Sequence, residues 1–119
     1  MDLKDILNQR LDILEENHVI CKEVADYSRK VVERILEERP NTEEDKAAMF
    51  ITHLAMAGQR VLDGVVEPPL DNLLLNGIKK DSIYQRAEAL KDELLNDTDI
   101  QFPEVERDFL TIHLCNLLS

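Results

Sequence analysis

Phe50-Ile51-Thr52-His53-Leu54-Ala55-Met56-Ala57-Gly58-Gln59-Arg60-Val61 decides how the rest of the chain is read. Phe50, Leu54, Ala57 and Val61 recur at the period of one face of an α-helix. Thr42-Glu43-Glu44-Asp45 supplies a start, with a hydroxyl cap followed by acids that suit the positive end of the helix dipole. Gly64 supplies a left-handed stop after Asp63. His53 and Arg60 lie seven residues apart, along the same edge of the apolar stripe.

The same period continues on both sides. Leu3, Ile6, Leu7, Leu11 and Leu14 predict an amphipathic helix ending near Glu16-Asn17. Val24, Tyr27, Val31 and Ile35 predict a second, from about Val19 to Glu38, stopped by Pro40. Beyond the central helix, Val65 to Pro69 reads as an extended linker, and Leu70 to Leu75 as a short helix closed by Asn76-Gly77. Ser82-Ile83-Tyr84-Gln85 reads as a capping box opening a helix to about Leu95. Pro103 is placed as the first residue of the last helix. That helix carries Phe109, Leu110, Ile112, Leu114, Cys115, Leu117 and Leu118. Apolar residues on nearly every side place it centrally in a bundle or in a subunit interface. No segment alternates with a two-residue period long enough to make a strand. The fold expected is all-α: a compact bundle of five helices with an additional N-terminal helix.

Composition narrows the function. The 119 residues suit one domain, and 44% apolar content is too high for a disordered chain. Tryptophan is absent, so the core rests on Leu, Ile, Val and Ala. With 14 basic and 25 acidic residues the net charge is −11. Such a surface repels phosphate backbones and anionic lipid, which excludes direct binding to nucleic acid or to a membrane surface. No apolar run is long enough to span a bilayer, and Met1-Asp2-Leu3-Lys4-Asp5 lacks a signal-peptide layout. A cytoplasmic protein is expected, with Cys21 and Cys115 as reduced thiols serving as small core residues.

Chemistry-bearing residues are few. There is no glycine-rich phosphate loop, no G-x-S-x-G elbow and no H-E-x-x-H pair. No cofactor is therefore expected. His113 and Cys115, two apart on a helix, point to nearly opposite sides and cannot readily share an ion, so no metal site is expected. Glu15-Glu16, Glu37-Glu38 and Glu43-Glu44 read as solvated faces or helix ends, and His18 as an exposed loop residue. His53 and His113 remain, each within a short apolar run. An imidazole there is either a satisfied core residue or a nucleophile. A neutral ring nitrogen at the rim of an apolar stripe can accept a phosphoryl group from another protein with little other machinery. Arg60 could hold the phosphoryl oxygens through charge-assisted hydrogen bonds. Two turns away from His53, it would more easily serve a group on a neighbouring helix; the plain alternative is an ion pair with a surface acid.

Three motifs in order bring a family into view. They are Phe50-Ile51-Thr52-His53-Leu54 with Arg60 and then Pro69-Leu70; Ser82-Ile83-Tyr84-Gln85-Arg86-Ala87; and Phe102-Pro103-Glu104-Val105-Glu106-Arg107-Asp108-Phe109-Leu110-Thr111-Ile112-His113-Leu114. Together, from about Val19 to Leu118, they resemble the PTS regulation domain (PRD). Arg107-Asp108 departs from the smaller or apolar residues common in the closing motif.

The resemblance implies a five-helix bundle that pairs as a homodimer. It implies regulation by the bacterial phosphotransferase system, with the phosphocarrier HPr or a sugar-specific IIB component as partner. It also implies that His53 and His113 are the phosphorylation positions. The expectation is a stand-alone member: an N-terminal amphipathic helix over 1–18 and a PRD-like domain over 19–119, with no nucleic-acid-binding module. It would modulate transcription or transport in response to sugar uptake through histidine phosphorylation, and would not be an enzyme. The alternative is a non-phosphorylated structural adaptor or dimerisation module.

Overall fold

A computed structural model describes residues 1–69 and 71–119, apart from the side chain of residue 72. Six helices make up the architecture of the described residues, with no strand among them: α1 (Leu3–Glu16), α2 (Lys22–Glu38), α3 (Glu44–Leu62), α4 (Asn72–Lys79), α5 (Tyr84–Asn96) and α6 (Glu104–Leu118). The chain is thus the all-α bundle that its periodicity predicts, with α1 as the additional N-terminal helix.

The apolar stripes become the core. Leu7 and Leu11 of α1, Val24, Tyr27, Val31 and Ile35 of α2, and Phe50, Leu54 and Ala57 of α3 are all buried. α6 packs between α3 and α5, which accounts for its broad apolar surface; Leu110, Leu114, Cys115, Leu117 and Leu118 are buried there. α1 lies across α2 and α3. Arg29 of α2 bonds Asp12 and Glu15 of α1, at 2.8 and 2.6 Å, and Asp26 of its own helix. The buried Tyr27 hydroxyl donates to the Leu94 carbonyl at 2.7 Å, fastening α2 to the end of α5. Gly58 of α3 packs against Val24 of α2; a Cβ there would stand 3.4 Å from a Val24 methyl.

Helix ends correct several local expectations. Gly64, at φ +74°, closes α3 as expected: its N–H reaches the Val61 carbonyl and that of Val65 reaches Arg60, a complete Schellman motif. His18 repeats this closure at the end of α1, with φ +59° and bonds from His18 and Val19 to Glu15 and Leu14. The residue read as an ordinary loop histidine is therefore a left-handed cap. Thr42 does not cap α3; Glu43 occupies that position, and the Thr42 hydroxyl has no hydrogen-bond partner among the described residues. Ser82 forms no capping box: α5 starts one residue later, with Ile83 at its N-cap, and the Asp81 carboxylate accepts the Ile83 N–H. Pro103 precedes α6 as its N-cap rather than opening it.

α4 runs through Asn76-Gly77 to Lys79, capped by Asp71 at the Leu73 N–H. Gly77 lies in open space, and its cost of about 1 kcal/mol relative to alanine does not end the helix, which continues through Ile78 and Lys79. Leu70, where the short helix was expected to begin, lies outside the described residues. Cys21 is exposed as the N-cap of α2, its backbone N–H donating to the Gln59 side chain at 2.8 Å, so only Cys115 is a core thiol.

Candidate functional site

α3 and α6 run antiparallel, and their pairing brings the two histidines together. The His53 and His113 rings stack with centroids 4.0 Å apart and planes 11° from parallel. Two turns along, the same register brings Arg60 of α3 against Glu106 of α6. Arg60 Nε donates to Glu106 Oε2 at 3.0 Å and Nη2 to Oε1 at 2.9 Å, a fork-to-fork pair. Between these rungs Ala57 faces Phe109 and Leu110, and a cleft of about 250 Å³ opens along the seam. Glu67, from the segment between α3 and α4, closes one side; its carboxylate lies 3.2 Å from Arg60 Nε.

The environments of the two rings differ. His53 is exposed and His113 is half-buried. Among the described residues, neither imidazole makes a hydrogen bond to protein. Burial and, after it, the neighbouring His53 lower the pKa of His113 to about 4. His113 is therefore a neutral imidazole at pH 7, with a ring nitrogen lone pair available to an electrophile. Neither ring is walled in: both line the cleft.

Arg60 is held more tightly than the sequence suggests. Glu106 is 1% exposed, so its carboxylate is a buried charge that only a matched cation can satisfy. Hydrogen bonding to Glu106, then the charges of Glu106 and Glu67, raise the Arg60 pKa against the opposing effect of burial. One guanidinium charge thus meets two carboxylates, and the site is net anionic when both rings are neutral. Nη1 has no partner among the described residues, leaving one edge of the guanidinium for a group in the cleft.

His53, His113 and Arg60, the three residues singled out from the sequence, share this cleft. Glu106, Glu67 and Phe109 were not singled out. Glu106 looked like one more acid in a helix's first turn. The available signal was spacing: Glu106 and His113 are seven apart on α6, as His53 and Arg60 are on α3. No cluster of three or more His, Cys, Asp or Glu residues among those described could hold a metal ion.

Comparison with known families gives one assignment. The family model described as the PRD domain matches residues 29–117. No curated protein and no solved structure matches the chain. The match spans most of the chain and contains both histidines, Arg60 and Glu106, and the chain belongs to the PRD family. A regulatory role of the PTS-regulation-domain kind follows, with components of that system as the kind of partner. Among the described residues no helix is long and apolar enough to cross a membrane.

Proposed function

We propose that this PRD-family chain is a cytoplasmic signalling module whose histidines accept a phosphoryl group from HPr or a sugar-specific IIB component. It thereby modulates transcription or transport in response to sugar uptake. The observation that carries this reading is the open pair of imidazoles lining one cleft, with no hydrogen bond to their nitrogens among the described residues. The chain's own contribution is limited to an accessible nucleophile and one open guanidinium edge. The donor protein brings the activated phosphoryl group, so the role is regulatory rather than enzymatic.

The step is a transfer from the donor's phosphorylated side chain to a ring nitrogen. A lone pair on the acceptor nitrogen forms the new P–N bond as the donor's bond to phosphorus breaks. The acceptor ring gives up its remaining N–H proton, and the departing donor side chain, imidazole or thiolate, can take it up. Arg60, which lines the same cleft, would contact the phosphoryl oxygens through Nη1. The modified ring gains about −1.5 to −2 charges beside two carboxylates, a change able to shift association with a partner or a second copy.

A homodimer fits the surface as well. Val65 and Val66 are exposed on the linker beside Glu67 at the edge of the cleft, and Leu73 and Leu74 are exposed on α4. The test is incubation with phosphorylated HPr and with phosphorylated IIB components, read by intact mass and peptide mapping, with sedimentation before and after. A mass gain on His53 or His113 supports the reading; none with any donor refutes it, leaving the structural adaptor.

A further inference from the structure

We infer that the stacked imidazoles of His53 and His113 are alternative acceptors holding one phosphoryl group between them, so that the domain has three states rather than four. This rests on the phosphoacceptor reading above and adds how the site is occupied.

Geometry supplies the first argument. The rings are nearly parallel, with centroids 4.0 Å apart. Each nitrogen's lone pair lies in the plane of its own ring. In-line attack on a phosphorus bonded to the neighbouring ring would require the two planes to meet edge to edge. The stack forbids this, so the pair is not a relay, and each ring must be charged from outside. A phosphoryl group on either ring also stands across the approach to the other, because both face one cleft of about 250 Å³.

Charge supplies the second. The cation at the cleft, Arg60, is already bonded to Glu106 and Glu67. Nη1, unpartnered among the described residues, would meet the oxygens of a first phosphoryl group. A second would bring roughly −2 more charges within several ångströms of the first, with no basic group among the lining residues left to receive it. Exposure orders the two acceptors: His53 is open and His113 half-buried, so His53 is modified first in the unaltered protein.

Phosphoramidate, a small N-phosphoryl donor, tests this without any partner protein. Each modification breaks its P–N bond, forms one to the acceptor ring and releases ammonia. The reaction is run in a His18→Asn background, which removes the exposed third histidine and keeps a side chain tolerant of positive φ. His53→Ala and His113→Ala are made in the same background and followed by intact mass. When each single-histidine variant is about half-modified, independent sites would leave about a quarter of the two-histidine protein doubly modified. The inference expects at least a tenfold deficit of that species. A doubly modified fraction near a quarter overturns the inference and leaves the phosphoacceptor reading standing. So does labelling of His113→Ala with none of His53→Ala, because His113 would then be no acceptor. No mass gain in any of the three proteins overturns the inference together with the reading beneath it.

Discussion

Glu106→Gln is the substitution that most directly tests the site's architecture. Glu106 is 1% exposed and holds both arms of the Arg60 fork, so the change replaces a charged acceptor with an amide whose NH₂ group faces guanidinium N–H donors. Removing one partner of a buried pair costs about 3–5 kcal/mol where the other charge is fully buried. Arg60 is 31% exposed and keeps Glu67 at 3.2 Å, so the cost here falls to about 2–3 kcal/mol. An unfolding entropy of about 2.1 cal/mol/K per residue, about 250 cal/mol/K for a chain of this length, converts that to a fall in Tm of roughly 8–12 °C.

Urea and thermal denaturation read the stability. A double-mutant cycle of Arg60→Met, Glu106→Leu and the pair together isolates the coupling, expected above about 1 kcal/mol. The local consequence is read by NMR. Loosening the register between α3 and α6 admits water to the His113 ring, and its pKa rises from about 4 toward the ordinary imidazole value. A loss below about 0.5 kcal/mol, or a strictly additive cycle, would refute the claim that this pair sets the register of the histidines.

Three further outcomes follow from named residues. The lowered pKa of His113 means that the unfolded chain binds more protons than the folded one between about pH 6.5 and 4. Stability therefore falls as pH drops through that window, by at most about 1.4 kcal/mol per pH unit, and the difference in urea midpoint between the protein and His113→Gln should shrink from neutral pH to pH 4. His18→Gly relieves an L-residue held at φ +59° and should raise stability by about 0.5–1 kcal/mol, measured by thermal unfolding at neutral pH. Gly77→Ala places a methyl in open space within α4 and should strengthen that helix by up to about 1 kcal/mol, seen as slower amide exchange in α4 if its opening is local.

The helices and most core positions were legible because their cause is local. Val24, Tyr27, Val31 and Ile35 fall on one face whatever surrounds them, and all four are buried. Errors gathered at the ends, where neighbouring groups compete to satisfy the same backbone atoms. Ile83 rather than Ser82 stands at the N-cap of α5, Glu43 stands where Thr42 was expected, and α4 continues through a glycine. Cys21 was misplaced for a similar reason: it caps α2 through its backbone, so its side chain stays outside.

From residue order alone came the all-α class, the apolar stripes, the acidic surface and the placing of His53 and Arg60 on one edge of α3. Tertiary structure decided which edges meet. The antiparallel packing of α3 on α6 stacks His53 on His113, turns Glu106 from one acid among 25 acidic residues into a buried counter-charge, and commits most of Arg60 to it. Periodicity is a property of one segment, set by 3.6 residues per turn. Pairing depends on the register between two segments far apart in sequence, where the packing of side chains and the need to neutralise a desolvated carboxylate choose one alignment.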